Sequence, residues 1–120
     1  MNTEALTPSE AEQKDSDMLK RHVLSIIEHI ENGFEDELNS DGDTFSAFDY
    51  LQDVLDIEYI VNSRKEYLGA RVLVAFGGPN IWINTRTQQV EGYWWNDRCI
   101  MSYSRDEMDL DGALSELYNC

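Results

Sequence analysis

The chain is short of positive charge. Nine Lys and Arg stand against 24 Asp and Glu in 120 residues, a formal net charge of −15. So few bases exclude nucleic acid as a direct ligand and an anionic membrane as a docking surface, because both are held by Lys and Arg set against phosphate. Cysteine is scarce too: Cys99 and Cys120 have no CxxC spacing and no histidine pair nearby, so neither a zinc site nor a redox motif is indicated. No apolar run approaches the ~20 residues of a membrane span. Met1-Asn2-Thr3-Glu4 lacks the basic-then-apolar layout of a secretory signal, which makes the cytosol the expected location.

What is present is acid, unevenly spread. Residues 1–60 hold sixteen Asp and Glu against Lys14, Lys20 and Arg21; residues 61–105 hold three acids against six bases; residues 106–120 hold five acids and no base. Hydrophobic content of 42%, with three Trp, six Tyr and four Phe, is nevertheless too high for an acidic disordered tail. One domain with a modest core is expected.

Hydrophobic spacing divides the chain into helical and extended parts. Thr7-Pro8-Ser9-Glu10 has the form of a helix start, with Thr7 as N-cap and Pro8 in the first turn. The apolar stripe Leu19, Val23, Ile26, Ile27, Ile30 and Phe34 places the packed part of this helix at 17–32, with residues 1–16 frayed or disordered and Gly33 as its stop. A second helix is expected from a cap at Asp43 or Thr44 to about Val54, burying Phe45, Phe48, Leu51 and Leu55. Beyond it the period becomes two, and 57–61, 70–76, 80–85 and 90–95 read as strands, with a weaker fifth at 99–104. Short connectors favour an antiparallel meander. Leu110, Ala113, Leu114 and Leu117 close the chain as a short helix. The expected architecture is α+β, in the order α-α-β-β-β-β-α, a four- to five-stranded antiparallel meander with the helices on one face and residues 17–120 forming a single domain.

Motifs that carry chemistry fail at specific positions. His22 and His29 are seven residues apart, about 10 Å of helix rise, too far to converge on one ion. The run Glu37-Leu38-Asn39-Ser40-Asp41-Gly42-Asp43 imitates a calcium loop but puts Phe48 where the bidentate Glu belongs. Gly77-Gly78-Pro79-Asn80 lacks the Lys-Ser/Thr of a phosphate loop and does not lead into a helix. No nucleophile elbow, HExxH or paired Cys and His suggests catalysis, and no cofactor is implied.

Two surfaces can carry a binding function. Asp49 and Asp53, one helical turn apart, separate their carboxylates by about 6 Å, near the phosphate spacing of a nucleic-acid strand. Asp56 shares that face, and Glu28, Glu31, Glu35, Asp36, Glu37, Asp41 and Asp43 continue the track across the first helix and the connector. On the sheet, strand alternation sets Arg71, Leu73 and Ala75 opposite Val72, Val74 and Phe76, and sets Trp82 opposite Ile81 and Ile83. Trp82, or Tyr93 with Trp95, is then left uncovered near Arg71 and Arg86, and Trp, Tyr and Arg are the usual interface anchors.

The segments Val54-Leu55-Asp56-Ile57-Glu58-Tyr59, 75–86 (from Ala75-Phe76-Gly77-Gly78-Pro79 to Thr85-Arg86) and Val90-Glu91-Gly92-Tyr93-Trp94-Trp95 resemble those of small acidic proteins carried by bacterial phages and mobile elements. That resemblance implies a setting in which anti-CRISPR and anti-restriction inhibitors occur, several of them nucleic-acid mimics. The expectation is a non-enzymatic inhibitor of a basic, nucleic-acid-handling host protein. Glu28, Glu31, Glu35, Asp36, Asp49, Asp53 and Asp56 would supply charge, and Trp82 or Trp95 the anchor. The alternatives are an immunity-type protein that neutralises a basic toxin, and a small-ligand module or enzyme without a recognisable motif.

Overall fold

Five stretches of alternating, β-branched and aromatic sequence pair in sequence order into one antiparallel sheet, β1 (Asp56–Val61), β2 (Tyr67–Ala75), β3 (Asn80–Asn84), β4 (Gln89–Trp94) and β5 (Asp97–Ser102). The structure is a computed structural model describing residues 8–34 and 37–120, the first six of them by backbone alone. Three helices complete it: α1 (Pro8–Asn32), α2 (Ala47–Gln52) and α3 (Leu110–Tyr118). The expected α+β meander is therefore present, with all five strands.

The helices pack on one face. Val72, Ile81, Ile83 and Val90 of the sheet, with Val23, Ile27 and Ile30 of α1, Leu51 of α2 and Leu110 and Leu114 of α3, form a single core cluster. Its centre is dry: Val23, Ile30, Ile81, Ile83, Leu110 and Leu114 are fully buried. At Gly92 of β4 the strand has no side chain, and a Cβ there would lie 2.8 Å from Val23 Cγ2 and 2.9 Å from Leu19 Cδ1. That gap lets α1 settle directly on the strand.

Several boundaries differ from expectation. α1 is helical from Pro8, so its backbone continues well ahead of Asp17, while Thr7 lies outside the described residues. Its end is as expected: Gly33 takes φ +74° and donates its N–H to His29 O at 2.8 Å. α2 is shorter than expected. Thr44 is taken by a bridge to Leu38, and Ser46 caps the helix instead, in a capping box with Asp49. Only Ala47 and Leu51 of α2 are buried; of the other residues expected to be buried Phe45 is half-buried, Phe48 is exposed, and so is Leu55, whose N–H already joins the sheet by donating to Leu73 O. The sheet alternation is also interrupted: Leu73 pairs with Trp82 but Ala75 with Ile81, so an irregularity at Val74 turns Ala75 to the helix side. β5 begins two residues earlier than expected, since Trp95 and Asn96 alone form the turn from β4.

Substituting Gly92 by Val is expected to lower stability by about 1–3 kcal/mol through overpacking against Val23 and Leu19. Urea unfolding, with the denaturant slope unchanged, is the check.

Candidate protein-binding surface

The acidic track does not assemble as a single ladder. Asp49 is drawn into local structure: its carboxylate accepts from Ser46 N–H at 2.8 Å and from Asn39 Nδ2 at 3.3 Å, and these bonds hold its pKa below the ordinary range, led by the Ser46 backbone bond. Asp53 follows as the exposed C-cap of α2. Asp56 is not on the helix at all; it opens β1, and its Oδ1 accepts from Ile57 N–H at 2.9 Å. The helical spacing of Asp49, Asp53 and Asp56 is thus broken at Gln52, where α2 ends.

On α1, Glu28 is exposed, but Glu31 is a strut. Its Oε2 accepts from Ser104 N–H at 2.7 Å and from Ser104 Oγ at 2.8 Å, tying the helix to the segment after β5. Those two bonds, and Arg105 beyond them, hold the Glu31 carboxyl below its ordinary value. Arg105 donates to Glu31 O at 2.8 Å and to Asn32 Oδ1 at 2.7 Å, placing a cation at the negative end of the helix. Glu35 and Asp36 lie outside the described residues.

Trp82 sits on the helix-free face of the sheet, as alternation requires. Arg71 stacks over its ring, the guanidinium carbon 4.2 Å from the centroid, and bridges to Glu91 at 3.1 Å and Glu58 at 3.4 Å. Glu91 also accepts from Tyr93 Oη at 2.9 Å and Asn84 Nδ2 at 3.4 Å. The Tyr93 hydroxyl is pushed up in pKa, first by desolvation and then by its bond to Glu91. Trp82 is therefore half-buried beneath a cation whose own partners are already in place.

Trp95 has a different position. It is 85% exposed, at the β4–β5 turn, and its backbone takes φ +54°. A bulky L-residue in the left-handed region is strained by roughly 1–2 kcal/mol, where Gly or Asn would be at ease. Its ring meets Trp94 edge to face, centroids 6.0 Å apart. Trp94 in turn lines a cleft of about 320 Å³ together with Met18, Leu19 and His22 of α1 and Pro79 of the β2–β3 connection. At the same end of the sheet Phe76 is 71% exposed, and on α1 Met18 is 57% exposed. The sequence marks Trp95 as a candidate anchor and assigns no such role to Met18, Phe76 or Trp94. The available signal was the placement of Phe76-Gly77-Gly78-Pro79 and Trp94-Trp95 at same-end turns of adjacent hairpins.

Of the remaining candidates, His22 is exposed beside the cleft, and the others hold local structure. His29 stacks on Phe34 at 4.6 Å, and Asn39 Oδ1 of the calcium-like loop accepts from Asp41 and Asp43 N–H. Burial pushes Tyr50 up to about 12 and is the first cause of the larger rise at Tyr103, both beyond ordinary proton exchange. Among the described residues no group of three or more His, Cys, Asp or Glu is placed to hold a metal, and no helix is long and apolar enough to cross a membrane. Neither family models, nor curated proteins, nor solved structures give a match to this chain.

Because the Glu31 carboxyl is depressed when folded, its contribution to stability is present above the ordinary value of 4.5 and is lost as pH falls through the folded value. Glu31→Gln is expected to lower the thermal midpoint at neutral pH. The gap to the unsubstituted protein should close as pH is taken well below 4.5, which parallel melts across pH would show.

Proposed function

We propose that the chain is a non-catalytic inhibitor that binds a basic, nucleic-acid-handling protein, of the kind met by anti-CRISPR or anti-restriction proteins of phages. The exposed, strained Trp95 is the observation that carries this reading. A large aromatic held in left-handed backbone and open to water costs stability and burdens solubility, and such outliers concentrate where function retains them. Together with Phe76, Met18 and the Trp94 cleft it supplies the aromatic and methionine content of an interface core.

The acid has a separate task in this reading. Among the described residues Glu28, Glu37, Asp41, Asp43 and Asp53 are exposed on the helices and their connector and form no salt bridge. Dispersed charge of one sign accelerates encounter with a basic partner more than it holds the complex together. Mimicry here is by field, not by a phosphate ladder, since Asp49, Asp53 and Asp56 do not continue one helical row.

The test is binding of the purified protein to nuclease and CRISPR effector complexes, with DNA as competitor. Trp95→Asn is expected to weaken binding about tenfold or more, while holding or raising thermal stability by up to ~1 kcal/mol, because Asn tolerates the left-handed backbone. Neutralising Glu28, Asp41, Asp43 and Asp53 together should slow association and flatten its salt dependence, with dissociation little changed. Binding that DNA does not displace and that Trp95→Asn leaves intact removes the proposal; a single toxin as the partner replaces it with immunity.

A further inference from the structure

β1 is an edge of the sheet, paired with β2 on one side and with no strand on the other among the described residues. An unpaired edge presents a row of backbone N–H and C=O groups ready to accept another strand, and proteins usually blunt it with Lys, Pro or a covering element. β1, Asp-Ile-Glu-Tyr-Ile-Val, has neither Lys nor Pro, and its register shifts only at its end, between Ile60 and Val61, leaving 56–60 as the regular edge. The helices lie over β2, β4 and β5, and on the helix side β1 meets Tyr118 through Tyr59, ring centroids 5.2 Å apart. Four of its six residues are exposed.

Its two faces differ in chemistry. Glu58 faces the open side of the sheet, as its bridge to Arg71 shows, and Asp56 shares that side through the alternation of the strand. Tyr59 lies on the other side with Ile57, its ring against Tyr118 of α3, and Leu55, which is 58% exposed, continues that row. A strand laid along β1 therefore meets two carboxylates, Asp56 and Glu58, and then Ile60 on the open side, and the apolar row Leu55, Ile57 and Tyr59 on the other.

We propose that the β1 edge accepts an extended segment of a partner protein in which basic and apolar residues alternate, added as a sixth strand. The ladder supplies affinity, and the alternation supplies selectivity, since Lys or Arg falls beside Asp56 and Glu58 while the residues between cover Leu55, Ile57 and Tyr59. A second copy of this chain is disfavoured at the same place. Two β1 edges pairing antiparallel with Asp56 opposite Glu58, or Glu58 opposite Glu58, would set like charges directly against each other, which is destabilising. β5, the other edge, carries Arg98 on its open side and lies under α1, so it offers a basic segment neither the charge nor the uncovered flank. The inference rests on the reading that the partner is basic, and extends it from long-range attraction to a defined contact.

The experiment uses the full chain, isotope-labelled, with a short capped peptide alternating lysine and valine as the probe. Amide exchange at 56–61 is expected to slow on binding, with exchange in β5 unchanged. The same peptide with glutamate for lysine should not bind, and N-methylation of alternate peptide amides should abolish binding by removing the ladder. Asp56→Asn with Glu58→Gln keeps the acceptor atoms and is expected to weaken the peptide roughly three- to tenfold, the loss of two surface charge pairs. Equal binding by the N-methylated peptide, or protection anywhere other than 56–61, overturns the edge proposal. Either result leaves the Trp95-dependent test to stand or fall separately.

Discussion

The close approach of α1 to β4 at Gly92 determines how the rest of the molecule is arranged. With no side chain on the strand, Leu19 and Val23 reach the backbone of β4, and the apolar stripe of α1 is buried along β4 and β5. The helix is then held at its far end as well: Glu107 and Met108 N–H donate to Ile30 O, Glu31 accepts from Ser104, and Arg105 caps the last carbonyls. This tie fixes where the chain re-enters, and so where α3 lies against β2. With every helix drawn to one face, the other face of the sheet and the β1 edge are left uncovered by helices.

That open face is not a second acidic surface, nor the basic one that counting charges along the chain suggests. Arg71 alone holds Glu58, Glu91 and the Trp82 ring, and Glu91 collects Tyr93 and Asn84 as well. Arg71 is 31% exposed and Glu91 12%, so part of this network is desolvated, and its members stabilise one another more than an exposed pair would. A cation–π contact of this kind contributes about 0.5–1 kcal/mol at a partly exposed site. A partner docking on Trp82 would have to separate Arg71 from Glu91, which already satisfy each other, whereas Glu58 at the edge stays open to solvent. Trp82, on β3, is therefore a weaker anchor than Trp95, in the β4–β5 turn.

The fold was legible because its signals are periodic. Leu19, Val23, Ile27 and Ile30 are all buried, as their helical spacing requires, and Val72, Ile81, Ile83 and Val90 follow the strand period. What escaped was set by contacts distant in sequence or by competition for a backbone group. Nothing local to Thr44 reveals its bridge to Leu38, yet that bridge moves the cap of α2 to Ser46. Nothing at Glu31 foretells Ser104, which lies 73 residues away. Charge was the least legible property of all, because a carboxylate reads the same in sequence whether it caps a helix, braces a loop or faces water. Asp49, Glu31 and Asp53 illustrate the three cases, and only the last is free to act on a partner.

A net charge of −15 creates a constraint that any function must meet. Self-repulsion keeps copies apart and weakens the compact state, while attraction to a basic surface extends only about a Debye length, roughly 8 Å at physiological ionic strength. Within that range the field is nearly indifferent to which basic protein has arrived. Discrimination has to come from contacts that exclude water and from groups that go unsatisfied when the wrong partner docks. The described surface offers such contacts at the strained aromatic turn, where Trp95 meets Trp94 edge to face, and along β1, where unpaired backbone runs between acid and apolar rows. Strand order places β1 at one edge of the sheet and the β4–β5 hairpin at the other. A partner engaging both must span the sheet, and its size and shape would then matter as much as its charge.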